Sequence, residues 1–191
     1  MDHAGVDRRD WAVALAGLGL GLAALCPLPA LAQATGTSEV RLTILDPVAA
    51  GVGDGMHFGE ITPTGTNGTV VLAPGATATC TVTGGLIRGG LCRAARFTGT
   101  GTYQTELRVQ RPSGNRIDLV GPGGATMRLD DFVFAATPPT TFVVQNGANT
   151  RFNIGAPDGS FEFFAGGTLH VAGNQAPGHY IGTFEIRLFY N

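Results

Sequence analysis

Turn signals recur along this chain at intervals of roughly 8–12 residues, and the segments between them are too short for helices of ordinary length. Thirty glycines and eleven prolines supply most of these turns. Examples are Asn67-Gly68, which predicts a hairpin turn, Pro74-Gly75, Asn146-Gly147, the run 121–124 and a glycine-rich linker over 49–55. The sequence therefore predicts one all-β domain, a sandwich of about nine to eleven short strands.

The C-terminal segment has the clearest strand pattern. A turn over 174–178 precedes it, with Pro and Gly at the positions that favour chain reversal. From there large apolar side chains alternate with polar ones, and this period of two predicts a strand with one face in the core. The apolar face carries Tyr180, Phe184, Ile186, Leu188 and Tyr190.

A second alternating segment lies near the start. Val40, Leu42 and Ile44 share one face, with polar residues between them. Residues 39–48 are therefore predicted to be the first strand of the domain, which extends over 39–191. The small polar residues 33–38 before it are predicted to be flexible.

The first 32 residues have the pattern of a signal peptide. Arg8 and Arg9 precede an uncharged run from Trp11 to Leu25, and Ala30-Leu31-Ala32 matches the small-x-small cleavage pattern. Cleavage is predicted after Ala32. The apolar run is shorter than the roughly twenty residues of a membrane-spanning helix. The mature chain is therefore expected to have no membrane span and to be exported to the periplasm, the cell surface or the medium.

Three alternatives to a simple cleaved signal stay open. The apolar run is retained as an anchor helix, Arg8-Arg9 belongs to a twin-arginine signal, or Cys26 is lipidated. The residues around Arg8-Arg9 fit a twin-arginine signal loosely, and Leu25 is bulkier than the residue that usually precedes a lipidated cysteine.

Cleavage would leave two cysteines, Cys80 and Cys92. An even number of cysteines in an oxidising compartment favours a disulfide. The alternative is a pair of buried free thiols. The two cysteines are accompanied by no metal-binding or redox spacing.

Charge and motifs exclude several classes of function. The net charge is −2 and all basic residues are arginine, so the chain has no basic surface typical of nucleic-acid binding. No serine lies in a Gly-x-Ser-x-Gly motif, and no histidine has the spacing of a zinc site. We therefore expect no enzyme activity, metal or cofactor. The histidines of the predicted mature chain are His57, His170 and His179.

Three segments carry a resemblance to a known family. Phe58-Gly59, the stretch from Gly124 to Phe134, and the C-terminal block from Asn174 through Gly-His-Tyr-Ile-Gly-Thr-Phe to Tyr190-Asn191 resemble small secreted bacterial β-domains of unknown function. The C-terminal block is also similar to that of spore coat protein U-type and chaperone–usher pilin subunits. This resemblance implies an immunoglobulin-like, pilin-like sandwich.

The pilin resemblance implies a role for the two alternating segments. Pilin sandwiches lack one strand, and the N-terminal segment of a neighbouring subunit supplies it by β-strand addition. Val40, Leu42 and Ile44 would then be the donor strand, and the last strand, with Phe184, Ile186, Leu188 and Tyr190, would line the acceptor groove. Only one alternating strand precedes Phe58-Gly59, whereas pilins have two. The segment is therefore either the domain's own first strand or a donor.

Two classes of function follow from the sequence. The first is a non-enzymatic exported structural protein, a pilin-like subunit or cell-surface component, whose partner is another copy of itself or a periplasmic chaperone. The alternative is a soluble periplasmic or extracellular binding module that recognises a ligand, such as a glycan, with exposed loops.

Overall fold

The computed structural model describes residues 34–44 and 49–190, and the side chains of residues 50–190. The predicted signal peptide, its cleavage site, Cys26 and residues 45–48 lie outside the described residues. So do the side chains of Val40, Leu42 and Ile44. Within the described ranges, no helix is long and apolar enough to cross a membrane.

The described residues form twelve strands and two short 3-10 turns, Ser113–Asn115 and Pro122–Gly124. The prediction of an all-β, sandwich-like domain is confirmed, although several strands are longer than expected. The strands are β1 (Ala34–Ile44), β2 (Ala49–Asp54), β3 (Met56–Ala73), β4 (Thr79–Gly89), β5 (Ala95–Thr100), β6 (Glu106–Gln110), β7 (Arg116–Val120), β8 (Thr126–Ala136), β9 (Thr140–Asn146), β10 (Asn149–Ile154), β11 (Ser160–Val171) and β12 (Gly178–Tyr190).

The strands form one continuous hydrogen-bonded sheet that folds over on itself, and its two halves, called layers below, pack against each other. In the first layer β4, β3, β11, β8 and β7 pair in that order, all antiparallel. In the second layer the order is β1, β12, β6, β10 and β9. β5 pairs with the first half of β11 and carries β2 on its other edge.

Aromatic side chains join the two layers. Phe132 of β8 packs against Phe184 of β12 with ring centroids 4.9 Å apart. Phe163 of β11 stacks on Phe152 of β10 at 5.5 Å. These contacts lie inside one continuous core of buried apolar side chains, as expected when the inner faces of two sheets interdigitate.

A change of pairing along β3 lets this strand belong to both layers. The first half of β3 pairs with β1, and its second half pairs with β11. Residues 65–68, predicted to be a hairpin turn, lie inside β3, where its pairing with β4 shifts register. The prediction was wrong because the chain bends here and passes to the other layer instead of reversing. The predicted linker over 49–55 instead contains the whole of β2.

A bulge in β8 corrects the phase of its apolar residues. Met127 and Leu129 are buried on one side of Asp131, and Phe132 and Phe134 on the other. Asp131 has φ 50°, and two residues of β8 there face Gly167 alone on β11. In the sequence the apolar residues change phase across Asp130-Asp131, which indicates either a bulge or a strand break; the structure has the bulge, and the extra residue returns both halves of the strand to the core.

The predicted disulfide between Cys80 and Cys92 is confirmed. It joins β4 to the segment that leads into β5. Beside it, the backbones of His57 and Arg93 exchange two hydrogen bonds of 2.8 and 2.9 Å. The disulfide therefore ties the β4–β5 connection to the start of β4, and the two hydrogen bonds tie the same connection to the start of β3.

Candidate functional site

The first strand pairs with the last along its whole length. β1 runs parallel to β12, with eleven register pairs from Ala34–Gly178 to Ile44–Leu188. Residues predicted to be flexible, 34–38, form its first half. Small residues give no apolar alternation, so the sequence pattern did not mark this half as a strand, although its backbone pairs on both edges.

β1 closes the gap between the two layers. Residues 34–38 pair with Met56–Ile61 of β3 on one edge and with β12 on the other. Residues 39–44, which contain the predicted donor residues, are paired with β12. In the register, Val40 stands opposite Phe184, Leu42 opposite Ile186 and Ile44 opposite Leu188.

The core side of β12 carries the residues predicted to line a groove. Tyr180, Phe184, Ile186 and Leu188 are buried, and every residue between Tyr180 and Leu188 that alternates with the buried set is exposed. Tyr190 is half-buried against the core. The structure thus brings these residues into the shared core beside β1.

The start of β12 is held by Tyr180. Its hydroxyl donates a hydrogen bond to the carbonyl oxygen of Ala176 (2.6 Å) and accepts one from Gln175 Nε2 (2.7 Å). Its ring lies directly over Gly121, where a Cβ atom would be 2.5 Å from the ring. Gly121 is therefore needed for the close approach of the ring, and Tyr180 anchors the turn that leads into β12.

The other edge of β12 is shared by two strands. Ile181 pairs with Val120 of β7, and residues 187–190 pair with β6. Where β6 ends and β7 begins there is a cleft of about 600 Å³, lined by residues that include Arg111, Glu185 and Arg187.

The three histidines do not come together. His57 is partly buried at the start of β3, and burial, followed by the nearby Arg93 guanidinium, lowers the pKa of its imidazole. His170 lies near the end of β11, where Nε2 is 2.7 Å from Asp130 Oδ1. His179 is at the exposed start of β12. Over the part of the chain with described side chains, no group of three or more His, Cys, Asp or Glu residues could hold a metal ion.

A polar row on the outside of the first layer was not found from the sequence. Successive register pairs place five side chains directly opposite one another across five strands. Because each of the five lies on a different strand, no local motif marks them, and their alignment follows only from the strand order. From one edge to the other they are Thr83, Thr69, His170, Arg128 and Asp118.

These features define the class: an all-β, sandwich-like domain with one disulfide, whose first strand lies parallel to its last. The chain belongs to a family described as a domain of unknown function, DUF4402, whose sequence model matches residues 50–190. This confirms the resemblance to a family of unknown function. Searches of curated proteins and of solved structures found no match.

The family match covers all the strands except β1. The match begins in β2 and ends with β12. β1 therefore lies outside the segment that defines the family, although it fills the space between β3 and β12.

Proposed function

We propose that this protein is a non-enzymatic, exported structural subunit, pilin-like or part of the cell surface, that acts by β-strand pairing. The observation that carries the proposal is the position of β1. It is paired with β12 over eleven residues, yet it lies outside the family segment 50–190. A strand that completes a domain without belonging to its defining segment is suited to exchange between copies.

The family segment needs such a strand. Without β1, residues 178–188 of β12 and 56–61 of β3 would each present an unpaired edge above the core. An eleven-residue parallel ladder contains about ten backbone hydrogen bonds, and at about 1 kcal/mol each they amount to ~10 kcal/mol. The whole stability of a domain is about 5–15 kcal/mol. The strand must therefore come from the same chain or from a neighbour.

Exchange of β1 requires no new interface. If β1 leaves its own domain, the β1 of one copy can make the same contacts with β12 of the next copy. Such a head-to-tail contact does not close on itself, so it propagates as a fibre. The partner that we propose is therefore a second copy of this chain, or a periplasmic chaperone that covers the same edge before assembly.

Export is supported by two independent features. The Cys80–Cys92 disulfide is typical of proteins that fold in an oxidising compartment. The N-terminal sequence has the pattern of a signal peptide. We propose that the chain acts at the cell surface, or in the periplasm on the way to it.

A cysteine pair distinguishes exchange from pairing within one chain. Glu39 and Thr183 are register partners on β1 and β12. We would express the double variant Glu39→Cys, Thr183→Cys, oxidise the exported protein and run it on a non-reducing gel. Exchange between copies gives a ladder of covalent oligomers. Pairing within one chain gives a monomer band whose new cysteines resist alkylation.

The control keeps the number of cysteines and changes the register. Glu39→Cys with Arg187→Cys places the two thiols four residues apart along the strand, about 13 Å. This variant should give neither the ladder nor the internal crosslink. If the Glu39–Thr183 variant yields internally crosslinked monomer alone, in both the periplasmic and the surface fractions, then the proposal is refuted and β1 is the domain's own strand.

A further inference from the structure

The polar row lies at the base of an open groove on the outer face of the first layer. The groove has a volume of about 550 Å³, within the usual range of about 300–1,000 Å³ for ligand sites. All five residues of the row line it, together with the side chains of Asn67 and Gln175. Four strand spacings of about 4.8 Å give the row a length of about 19 Å. The site is thus long and shallow, and shaped for an extended molecule that crosses the strands.

Side-chain contacts hold the row and its neighbours in three separate groups, which together are called the polar network below. Arg128 Nε contacts Asp130 Oδ2 at 2.9 Å, and His170 Nε2 contacts Asp130 Oδ1 at 2.7 Å. At the far end, the hydroxyls of Thr69 and Thr83 are 2.6 Å apart. Arg and Asp side chains held by such contacts have fewer rotamers to lose when a ligand binds. The network therefore presents donors and acceptors in fixed places.

The charges of the network balance. Arg116 and Arg128 are matched by Asp118 and Asp130, with Arg116 Nη2 3.5 Å from Asp118 Oδ2. An anionic ligand would meet the two carboxylates, and a cationic one would meet the two guanidinium groups. A neutral ligand rich in groups that both donate and accept hydrogen bonds satisfies all of them.

The side chains that line the groove also argue against nucleic acids and peptides as ligands. The row includes no Phe, Tyr or Trp side chain, whereas nucleic-acid single strands are held mainly by stacking on such rings. Met127 and Val171 also line the groove, but both are buried, so they leave no open apolar pocket for the side chains of a peptide. Hydroxyl, imidazole, guanidinium and carboxylate groups in a row complement a chain of vicinal hydroxyls.

We infer that this groove binds a neutral oligosaccharide, laid across β4, β3, β11, β8 and β7, with Arg128, His170 and Asp118 at one end and the two threonines at the other. The site differs from the exposed loops expected from the sequence, because the recognising side chains lie on a sheet. It is independent of β1 exchange, since its residues all lie within the family segment and none lies on β12.

The test uses the exported full chain and a panel of trisaccharides in titration calorimetry. The neutral probes are cellotriose, maltotriose, mannotriose, xylotriose and chitotriose, and the acidic probe is trigalacturonate. We expect at least one neutral trisaccharide to bind below about 10 mM, since a shallow hydrogen-bonding site gives weak affinity. Arg128→Gln should weaken this binding about tenfold or more, because a hydrogen bond from a charged group is lost.

Arg96→Gln is the matched control. The Arg96 side chain is 46% exposed and that of Arg128 47%, and each is paired with one carboxylate, Glu162 or Asp130. Arg96 lies on β5, outside the groove, so its variant should bind as the wild type does. Thr83→Val, at the other end of the row, should weaken binding as well, because an extended ligand contacts both ends.

Four outcomes would overturn the inference. The first two concern the ligand: only trigalacturonate binds, or no neutral probe binds up to about 10 mM. The other two concern the variants: Arg96→Gln and Arg128→Gln weaken binding equally, or Thr83→Val binds as the wild type does. Circular dichroism of each variant shows that the sandwich is intact. Oligosaccharide binding with no covalent ladder in the Glu39–Thr183 experiment would support this site and refute strand exchange.

Discussion

Deleting β1 is the perturbation with the largest effect expected from the structure. Removal of residues 33–45 takes away eleven register pairs with β12 and five with β3. At about 1 kcal/mol for each of roughly fourteen backbone hydrogen bonds, the loss is ~14 kcal/mol before any apolar cover is counted. This is as large as the whole stability of a typical domain, about 5–15 kcal/mol. The truncated chain alone should therefore fail to fold.

The assay is refolding with and without the missing strand. Near-ultraviolet circular dichroism and urea titration would follow the truncated chain alone, and then with an equimolar peptide of residues 34–44 present during refolding. We expect the peptide to restore a cooperative transition, since β12 and β3 still offer both edges. If the truncated chain alone unfolds within about 2 kcal/mol of the full chain, the argument that β1 completes the domain is refuted.

Two altered peptides test which face of β1 matters. In one, Val40, Leu42 and Ile44 are replaced by Ser; in the other, Glu39, Arg41 and Thr43 are replaced. The sequence predicts that the first three face the core. The first peptide should therefore fail to rescue folding, and the second should succeed. Equal rescue by both would mean that β1 contributes backbone pairing alone.

Three further predictions concern stability. The double variant Cys80→Ala, Cys92→Ala should lose about 3 kcal/mol in urea unfolding, because the disulfide closes a loop with a sequence separation of 12. Gly121→Ala should lose about 1–3 kcal/mol, since the new methyl group meets the ring of Tyr180. His57, whose pKa is lowered by burial, binds a proton less readily when folded; stability should fall as pH drops below about 6.5, and His57→Asn should flatten this dependence.

Each of these variants has a control in the same chain. Reduction of the wild type should reproduce the loss caused by the two Cys→Ala changes. Gly51→Ala is the control for Gly121→Ala. A Cβ at Gly51 meets no atom within 4 Å, so this variant should not lose stability through a steric clash. Wild-type protein unfolded in urea over the same pH range is the reference for the His57 variant. A slope that survives in the His57 variant would assign the acid sensitivity to other groups.

Sequence reasoning succeeded for the features that a local residue pattern determines. The fold class, the alternation from Tyr180 to Leu188, the shift of phase at Asp131 and the disulfide all follow from residue periodicity or cysteine number. It failed at residues 65–68, where Asn67-Gly68 has the composition of a hairpin turn. There the strand continues because its neighbours change from β1 to β11, and a change of neighbour leaves no mark on local composition.

The same limit explains why the polar row was missed. Thr69, Thr83, Asp118, Arg128 and His170 are unremarkable outward residues on five strands. Their alignment depends on strand order and on register across the whole first layer. Register is fixed by the buried faces of the strands, so the core residues determine where these polar side chains meet.

No local sequence pattern can predict whether β1 pairs with β12 of its own chain or with β12 of a neighbour. Val40, Leu42 and Ile44 alternate in the same way whether the strand lies against its own domain or against a neighbour. The register that joins Val40 to Phe184 spans most of the chain, and a long connection costs little more than a moderate one, because loop-closure entropy grows only with the logarithm of length. Because the same contacts would form in both arrangements, concentration decides between them. High local concentration at a cell surface therefore favours exchange, and dilution of the purified protein favours the self-paired chain.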